Sequence, residues 1–507
     1  MSTSPRTSSS SDSFHSDHSG VHAYDSSAAL IVVHDNEEPE YDPTSFDFSS
    51  DDEESEEDEQ YERLRSSSVP PLPATSVFLY LFSPLLKLGA IQLFDASKGV
   101  QLKWAITALV VFAALCALTR HVWHMLAKYV RRADMEAILL ETFARGRGKE
   151  GLRNAIRRTV RVSVGLFRVL LAIVYLRASV DVLLPLFPHF RLIHVRAPLT
   201  VVLALCIAPL CLPRSLAGSS VLYTTWASVV TFVAWLISMA YAHAKGIRTT
   251  NPTSESLGIL WQGISIFAFA FATTNTLPLY AALKGSLLPG QPKPRRTRRF
   301  TLLSLMSIGL AALLILPLVF FGQPSQPDTR YRKPTFTFRT VLAFFHASTL
   351  ALSIPSIIIT TPELPLPLSI RRSATFQVSK VLLYTIIVSV SLVPVEILRV
   401  LSDVVFVLAF VSTYMLPGLI HIVIHTFRRP LAIVIPPSTP ITPSSSQASN
   451  PYPPESRTDE LLQRKERLLQ RKRLGKRLVW DIGVWVLLLP VGGGGLLWCV
   501  GRIAGKW

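Results

Sequence analysis

The sequence predicts an all-α integral membrane protein of about eleven transmembrane helices, preceded by a disordered acidic amino-terminal tail. Composition is the first of three observations that lead there. Of the 507 residues 49% are hydrophobic and the mean hydropathy is +0.36, too apolar for a soluble protein of this length. The second is a succession of apolar stretches long enough to cross a bilayer core, divided by short polar links. The third is the placement of Lys and Arg, which crowd into every second link.

Residues 1–70 stand apart in composition. The segment is Ser-rich at its start and acidic through DNEEPEYD and SSDDEESEEDEQ, with too little apolar material to bury against itself. Disorder in the cytosol is expected, and the composition names no protein partner for the tail. Ser49, Ser50 and Ser55 lie beside acidic residues and are either phosphorylation targets that switch a contact or passive, solvated serines. No apolar run flanked by Lys or Arg opens the chain, so the first hydrophobic helix is expected to act as the targeting signal. The net charge of +17 averages over an acidic beginning and basic later links. Those basic residues read as topology determinants facing the lipid bilayer, and no nucleic-acid partner is expected.

Residues 71–507 form the membrane domain. Eleven spans are read at about 77–94, 104–126, 160–187, 197–212, 221–242, 257–279, 300–321, 336–360, 378–398, 404–424 and 478–500. The first is the weakest and the fourth the shortest. The links after spans two, six, eight and ten carry most of the basic residues, among them Arg131, Arg132, Arg157, Arg295, Arg296, Arg371, Arg372, Arg428 and Arg429. The positive-inside rule then puts the amino terminus in the cytosol and, with an odd number of spans, Trp507 on the other side.

Two links on the cytosolic side carry helical patterns. ADMEAILLETFARGRGKEGLRNAIRR brings Met135, Ile138 and Leu139 to helical spacing, for an amphipathic helix along the membrane surface or a solvated one. DELLQRKERLLQRKRLGKR repeats Leu461, Leu462, Leu468 and Leu469 beneath a basic face suited to anionic headgroups, with the same solvated alternative. Pro and Ser upstream of it make the region of about 428–475 a flexible linker.

Reactive and ionisable residues inside the spans are few. Cys116, Cys206, Cys211 and Cys499 read as buried thiols, forming neither a disulfide framework nor a metal site. Arg177 and Asp181 share a face of the third span at a spacing of four, where they pair structurally, relay protons or gate. His346, near the middle of the eighth span, is either a proton carrier or a histidine bonded to a neighbour. Lys87, Asp95 and Lys98 make the first span polar, and Lys87 is expected to snorkel to the interface. Glu396 and Asp403 flank a short link and are expected to be solvated there.

The stretch LGILWQGISIFAFAFATTNTLPLYAALK, residues 257–284, is the centre of the functional reading. An apolar run meets Thr273, Thr274, Asn275, Thr276 and Pro278 before it reaches water. Such a cluster at membrane depth belongs inside a helix bundle. Either the helix frays at the interface, or it is a broken helix lining a transport path.

Four stretches stand in a telling order. They are AILLETFARGRGKEGLRNAIRR with YLRASVDVL, which holds Tyr175, Leu176, Asp181 and Leu183; APLCLPRSL at 208–216; FAFATTNTLPLYAALK; and IPSIIITTPE around Pro355. In this order and spacing the chain after Pro70 resembles the amino acid/auxin permease family of eukaryotic amino acid transporters. The Gly-Ala-Gly-Ile motif of that family's first helix is met here by LLKLGAIQLFDASKG, which keeps Gly89 and Ala90 and lacks the second glycine.

The resemblance implies an inverted-repeat fold of five plus five helices and one more. It implies alternating-access transport of an amino acid substrate, coupled to H+ or Na+, in a vacuolar or other endomembrane, with the plasma membrane as the alternative. Gly89, Ala90 and Ile91 would supply backbone from the first helix, and Phe267, Phe269, Thr273, Thr274 and Asn275 the opposite wall. Free amides would take the carboxylate of a zwitterion, and freed carbonyls and hydroxyls its ammonium. Ser348 and Thr349 of the eighth helix are candidate sodium ligands, or hydroxyls that pack helices together.

No phosphate-binding Gly-rich loop, HExxH pair or nucleophile signature is present, so an enzyme, a cofactor and a metal site are not expected. The GGGG run at 492–495 reads as close helix packing. The expected function is secondary transport of neutral amino acids driven by protons. The alternative is a transporter-shaped sensor or scaffold that moves nothing.

Overall fold

A computed structural model describes residues 69–97, 100–130, 132–144, 148–187, 196–213, 215–246, 257–272, 276–283, 296–322, 335–364, 378–424 and 480–504. The acidic tail and the linker at about 428–475 lie outside the described residues. Within them the protein is helical throughout, and its one β-type feature is an isolated bridge between Leu72 and Leu283. Eight described helices are long and apolar enough to cross a membrane. This is the architecture of a multi-pass membrane protein.

The first crossing is built in two halves, α1 (Ala74–Phe82) and α2 (Leu88–Ala96), around a 3-10 turn at Ser83–Leu86. Pro84 lacks the amide that would continue the ladder, and Lys87 leaves the helical region altogether with ψ −147°. Next come α3 (Leu102–Val130), the short α4 (Met135–Phe143), α5 (Glu150–Leu183), α6 (Arg196–Ile207) and α7 (Ser219–Ala244). The predicted sixth span appears as α8 (Leu257–Ala270) and α9 (Thr276–Ala282), each too short to cross alone. Pro278 lies in the first turn of α9, where a missing amide costs nothing.

The second half runs α10 (Arg296–Phe321), α11 (Phe336–Ala351), α12 (Ile354–Thr360), α13 (Val378–Ser391), α14 (Val395–Phe410) and α15 (Leu416–Ile422). It ends in α16 (Leu489–Ile503). Pro355, at the start of α12, cannot bond the carbonyl four residues back, so the eighth predicted span turns at Leu352–Ser353. Pro417 and Pro490 each follow a π-helical stretch, Val411–Met415 and Gly483–Leu488, by the same removal of an amide.

The two interrupted helices sit against each other. α2 lies along α8, and the amide of Leu72 donates to the Ala282 carbonyl at 2.6 Å where α1 meets α9. α11 packs on α5 and α7, α10 on α3 and α1, and α16 on α14. Of the first crossing 83% is buried, against 28% of the last. The span weakest in apolar signal is therefore the centre of the bundle, where it meets protein and not lipid. The outer faces carry the lipid-soluble side chains, such as Leu205, Ile237, Leu313 and Leu497.

Four expectations are corrected. Lys87 does not snorkel; it is 4% exposed and turned inward. The apolar residues of α4 do not lie along lipid: Ile138 and Leu139 are buried in the packing of α4 on α3 and α5. Cys206 is exposed on the outer face, whereas Cys116, Cys211 and Cys499 are buried, and all four are free thiols. Asp403 is not solvated but buried, paired with Arg502 at 3.0 Å. In the GGGG run, Gly492 abuts Met415 and Gly495 the Phe410 ring, while Gly493 and Gly494 have open space beside them.

Gly89 sets the closest approach of α2 to α8: a Cβ placed there would lie 2.5 Å from the Cα of Ala270. Backbone cannot yield as a flexible side chain does. Gly89→Ala is expected to destabilise the protein by about 1–3 kcal/mol, read as a lowered thermal midpoint of the full chain in detergent. An unchanged midpoint would disprove the close contact.

Candidate functional site

Helix breaks leave carbonyls without their ladder amides, and in a dry bundle those oxygens need other donors. The turn after α11 is the clearest case. The amide of Ser353, which would bond Thr349 in a continuous helix, bonds Leu350 instead, at 3.1 Å. The Thr349 carbonyl then accepts from two hydroxyls, Ser353 at 2.6 Å and Ser228 of α7 at 2.8 Å. Ser228 and Ser353 also meet at 3.3 Å, and the Thr349 hydroxyl donates to Thr231 at 3.2 Å. Ser228 and Thr349 are 0% exposed and Ser353 is 2% exposed, so this nest of oxygens is dry.

Lys87 enters the nest. At the break between α1 and α2, its extended backbone turns the side chain toward α7, and its Nζ donates to the Ser228 hydroxyl. Among the described residues no carboxylate pairs with it. An ammonium thus stands among hydroxyls and a carbonyl drawn from the fifth and eighth predicted spans, in the type of oxygen setting that suits a small cation.

Three further breaks are held by single buried side chains. Arg120 of α3 donates through Nη2 to the Leu81 carbonyl in the last turn of α1, at 2.8 Å, and through Nη1 to Ser307 of α10, at 2.8 Å. Tyr414, in the π stretch before α15, donates to the Ala268 carbonyl at 2.8 Å. That oxygen is open because the amide of Ala272 has moved to Phe269, at 3.0 Å. Arg177 of α5 donates to Ser391 and Val393, at 2.9 and 3.2 Å, where α13 ends before Pro394.

The residues singled out from the sequence fall into distinct places. Gly89, Ala90 and Ile91 are helical and buried in α2, with the Ile91 amide bonded to the Lys87 carbonyl at 3.1 Å. Phe267 and Phe269 are both buried on α8, which packs along α2 through Ala270 against Gly89, and the Phe269 ring lies 4.5 Å from that of Phe406. Thr273, Thr274 and Asn275, the polar centre of that stretch, lie outside the described residues. Of the eighth-span pair, Thr349 is part of the nest, whereas Ser348 only closes the α11 terminus through its carbonyl to the Leu352 amide, at 3.0 Å. His346 is half-buried, its ring edge-on to Trp235 at 5.9 Å. Arg177 and Asp181 do meet, at 3.5 Å, and Asp181 is also bonded by Arg196 of α6.

Comparison of the chain with protein-family models and with curated proteins finds no match to either. Among the described residues no three His, Cys, Asp or Glu side chains are grouped to hold a metal ion.

Lys87, Ser228, Ser353, Arg120 and Tyr414 were not reached by sequence reasoning as site residues. The prolines at 84 and 355 were the available signal, because each breaks its helix within a turn or two of the carbonyls so held, Leu81 and Thr349. The nest makes an asymmetric prediction. Ser228→Val leaves the ammonium without its acceptor and is expected to cost about 1–3 kcal/mol; Lys87→Met removes charge and need together and is expected to leave the thermal midpoint level or higher. Equal losses in both variants would contradict the geometry.

Proposed function

We propose that this chain is a secondary active transporter of amino acids, working by alternating access and driven by protons, in a membrane of the vacuole or another endomembrane compartment. The reading includes eleven crossings in an inverted repeat of five plus five with one added, the arrangement implied by the resemblance to the amino acid/auxin permease family. The observation that carries it is the pairing of two interrupted helices, α1–α2 and α8–α9, at the buried middle of the bundle. Interrupted helices bring amide and carbonyl groups to membrane depth, here held by Arg120 and Tyr414 at Leu81 and Ala268, and such groups are what a zwitterion requires when it sheds water.

The choice of proton rests on Lys87. A metal ion drawn to the Ser228, Thr349 and Ser353 oxygens would meet an ammonium already seated there. In the proposed cycle Lys87 holds a proton while the first crossing is locked to α7, and its release to the lower-proton side loosens that lock and lets α1 and α2 move. The resemblance assigns substrate contacts to Gly89, Ala90 and Ile91 and to Thr273, Thr274 and Asn275.

A second reading has its own support. Gly89 against Ala270 leaves no gap between α2 and α8, and a protein fixed in that closure is a sensor or scaffold that keeps the shell of a transporter. Uptake of a labelled amino-acid mixture into proteoliposomes, with and without a pH gradient, separates the two. Accumulation in wild type is expected to follow the acid gradient, and Lys87→Met, still folded, is expected to lose that dependence. No uptake under any gradient favours the sensor; uptake that follows sodium and ignores Lys87→Met overturns the proton assignment.

A further inference from the structure

We propose that a crevice between α3, α10 and the start of the last span binds a phosphate group presented by an anionic phospholipid of the adjoining leaflet. The crevice has a volume of about 360 Å3 and lies where α3 nears its end and α10 begins. Ala117, Arg120, His121, Thr301, Ser304 and Trp480 line it.

Arg120 supplies the reason for an anion. The residue is 2% exposed, and both nitrogens that donate do so to neutral oxygens, the Ser307 hydroxyl and the Leu81 carbonyl. Its Nε has no hydrogen-bond partner, and no carboxylate pairs with it among the described residues. A guanidinium at membrane depth without a counter-ion is costly, and a phosphate matches it in charge and in the spacing of its donors. His121, stacked on Trp480 at 4.4 Å, and the hydroxyls of Thr301 and Ser304 bring further polar groups to the same walls.

The surroundings point to a lipid as the source of that phosphate. Leu118, Phe300 and Leu305 give the crevice an apolar side beside His124, suited to a glycerol and the first acyl carbons, and Leu305 is half exposed on the outer face of α10. Lys128, Arg132 and Arg299 stand at the same end of the bundle, where a positive surface concentrates anionic headgroups. The site is separate from the nest around Lys87. It adjoins the first helix break all the same, since the Arg120 that would meet the phosphate also holds the Leu81 carbonyl.

Native mass spectrometry of the full chain tests the proposal, with phosphatidic acid, phosphatidylinositol, phosphatidylcholine or inorganic phosphate added in detergent. Phosphatidic acid and phosphatidylinositol are expected to stay bound where phosphatidylcholine is stripped, and millimolar inorganic phosphate is expected not to displace them. Ala117→Phe would fill part of the crevice and exclude the headgroup while leaving Arg120 in place, and Arg120→Gln would remove one charge-assisted hydrogen bond; each is expected to weaken anionic-lipid binding by about tenfold or more. Ala117→Phe carries the test where Arg120→Gln does not fold. Unchanged retention in Ala117→Phe, phosphatidylcholine held as tightly as phosphatidic acid, or full displacement by inorganic phosphate would each overturn it.

Discussion

A carbonyl released from a helical ladder inside a waterless bundle must find a donor, and this need organises the interior. Four described breaks have their oxygens held by specific side chains: Leu81 by Arg120, Ala268 by Tyr414, Thr349 by Ser228 and Ser353, Ser391 and Val393 by Arg177. The donors come from helices other than the one that is broken, Ser353 excepted. Breaking a helix therefore ties it to its neighbours, and the interruptions become points where the bundle is most specifically joined.

That arrangement explains why polarity is concentrated where apolar surface would be expected. The first crossing is the most buried of the eight and carries Lys87, while the last is the least buried and presents Leu497 and Trp485 outward. Polar groups are tolerated in the centre because other protein groups answer them, whereas a lipid-facing surface has nothing to offer. Glycine marks the tightest places. Gly89 brings two backbones together, and Gly322 meets the Ser97 hydroxyl, where a Cβ would lie 1.8 Å away.

Charge in the core follows a related logic with a different outcome. Asp403 finds Arg502, a buried carboxylate balanced by one guanidinium from another helix, while the more exposed Asp181 meets two arginines at the bundle's edge. Lys87 and Arg120 are held by hydroxyls and carbonyls only, among the described residues. A balanced pair serves architecture well enough. A cation met only by neutral oxygens leaves a charge for something mobile to answer, a proton leaving in one case and an arriving anion in the other, and both proposals grow from that difference.

Membrane character, the helical fold, most of the span positions and the interruption before Pro278 were legible in the sequence, because hydropathy over about 20 residues and the missing amide of proline are local properties. The i,i+4 meeting of Arg177 with Asp181 belongs to the same class, whereas the eighth span, read as continuous, turns at Leu352–Ser353 before Pro355. What the chain could not disclose by itself is which distant donor answers each freed oxygen: Lys87 and Ser228 are 141 residues apart and Arg120 and Ser307 are 187 apart. Those partnerships follow from how rods pack side by side, and the direction of Lys87, inward and not toward the headgroups, was settled only there. A helix reports its own periodicity in its own residues, but which face meets which neighbour depends on all the others at once.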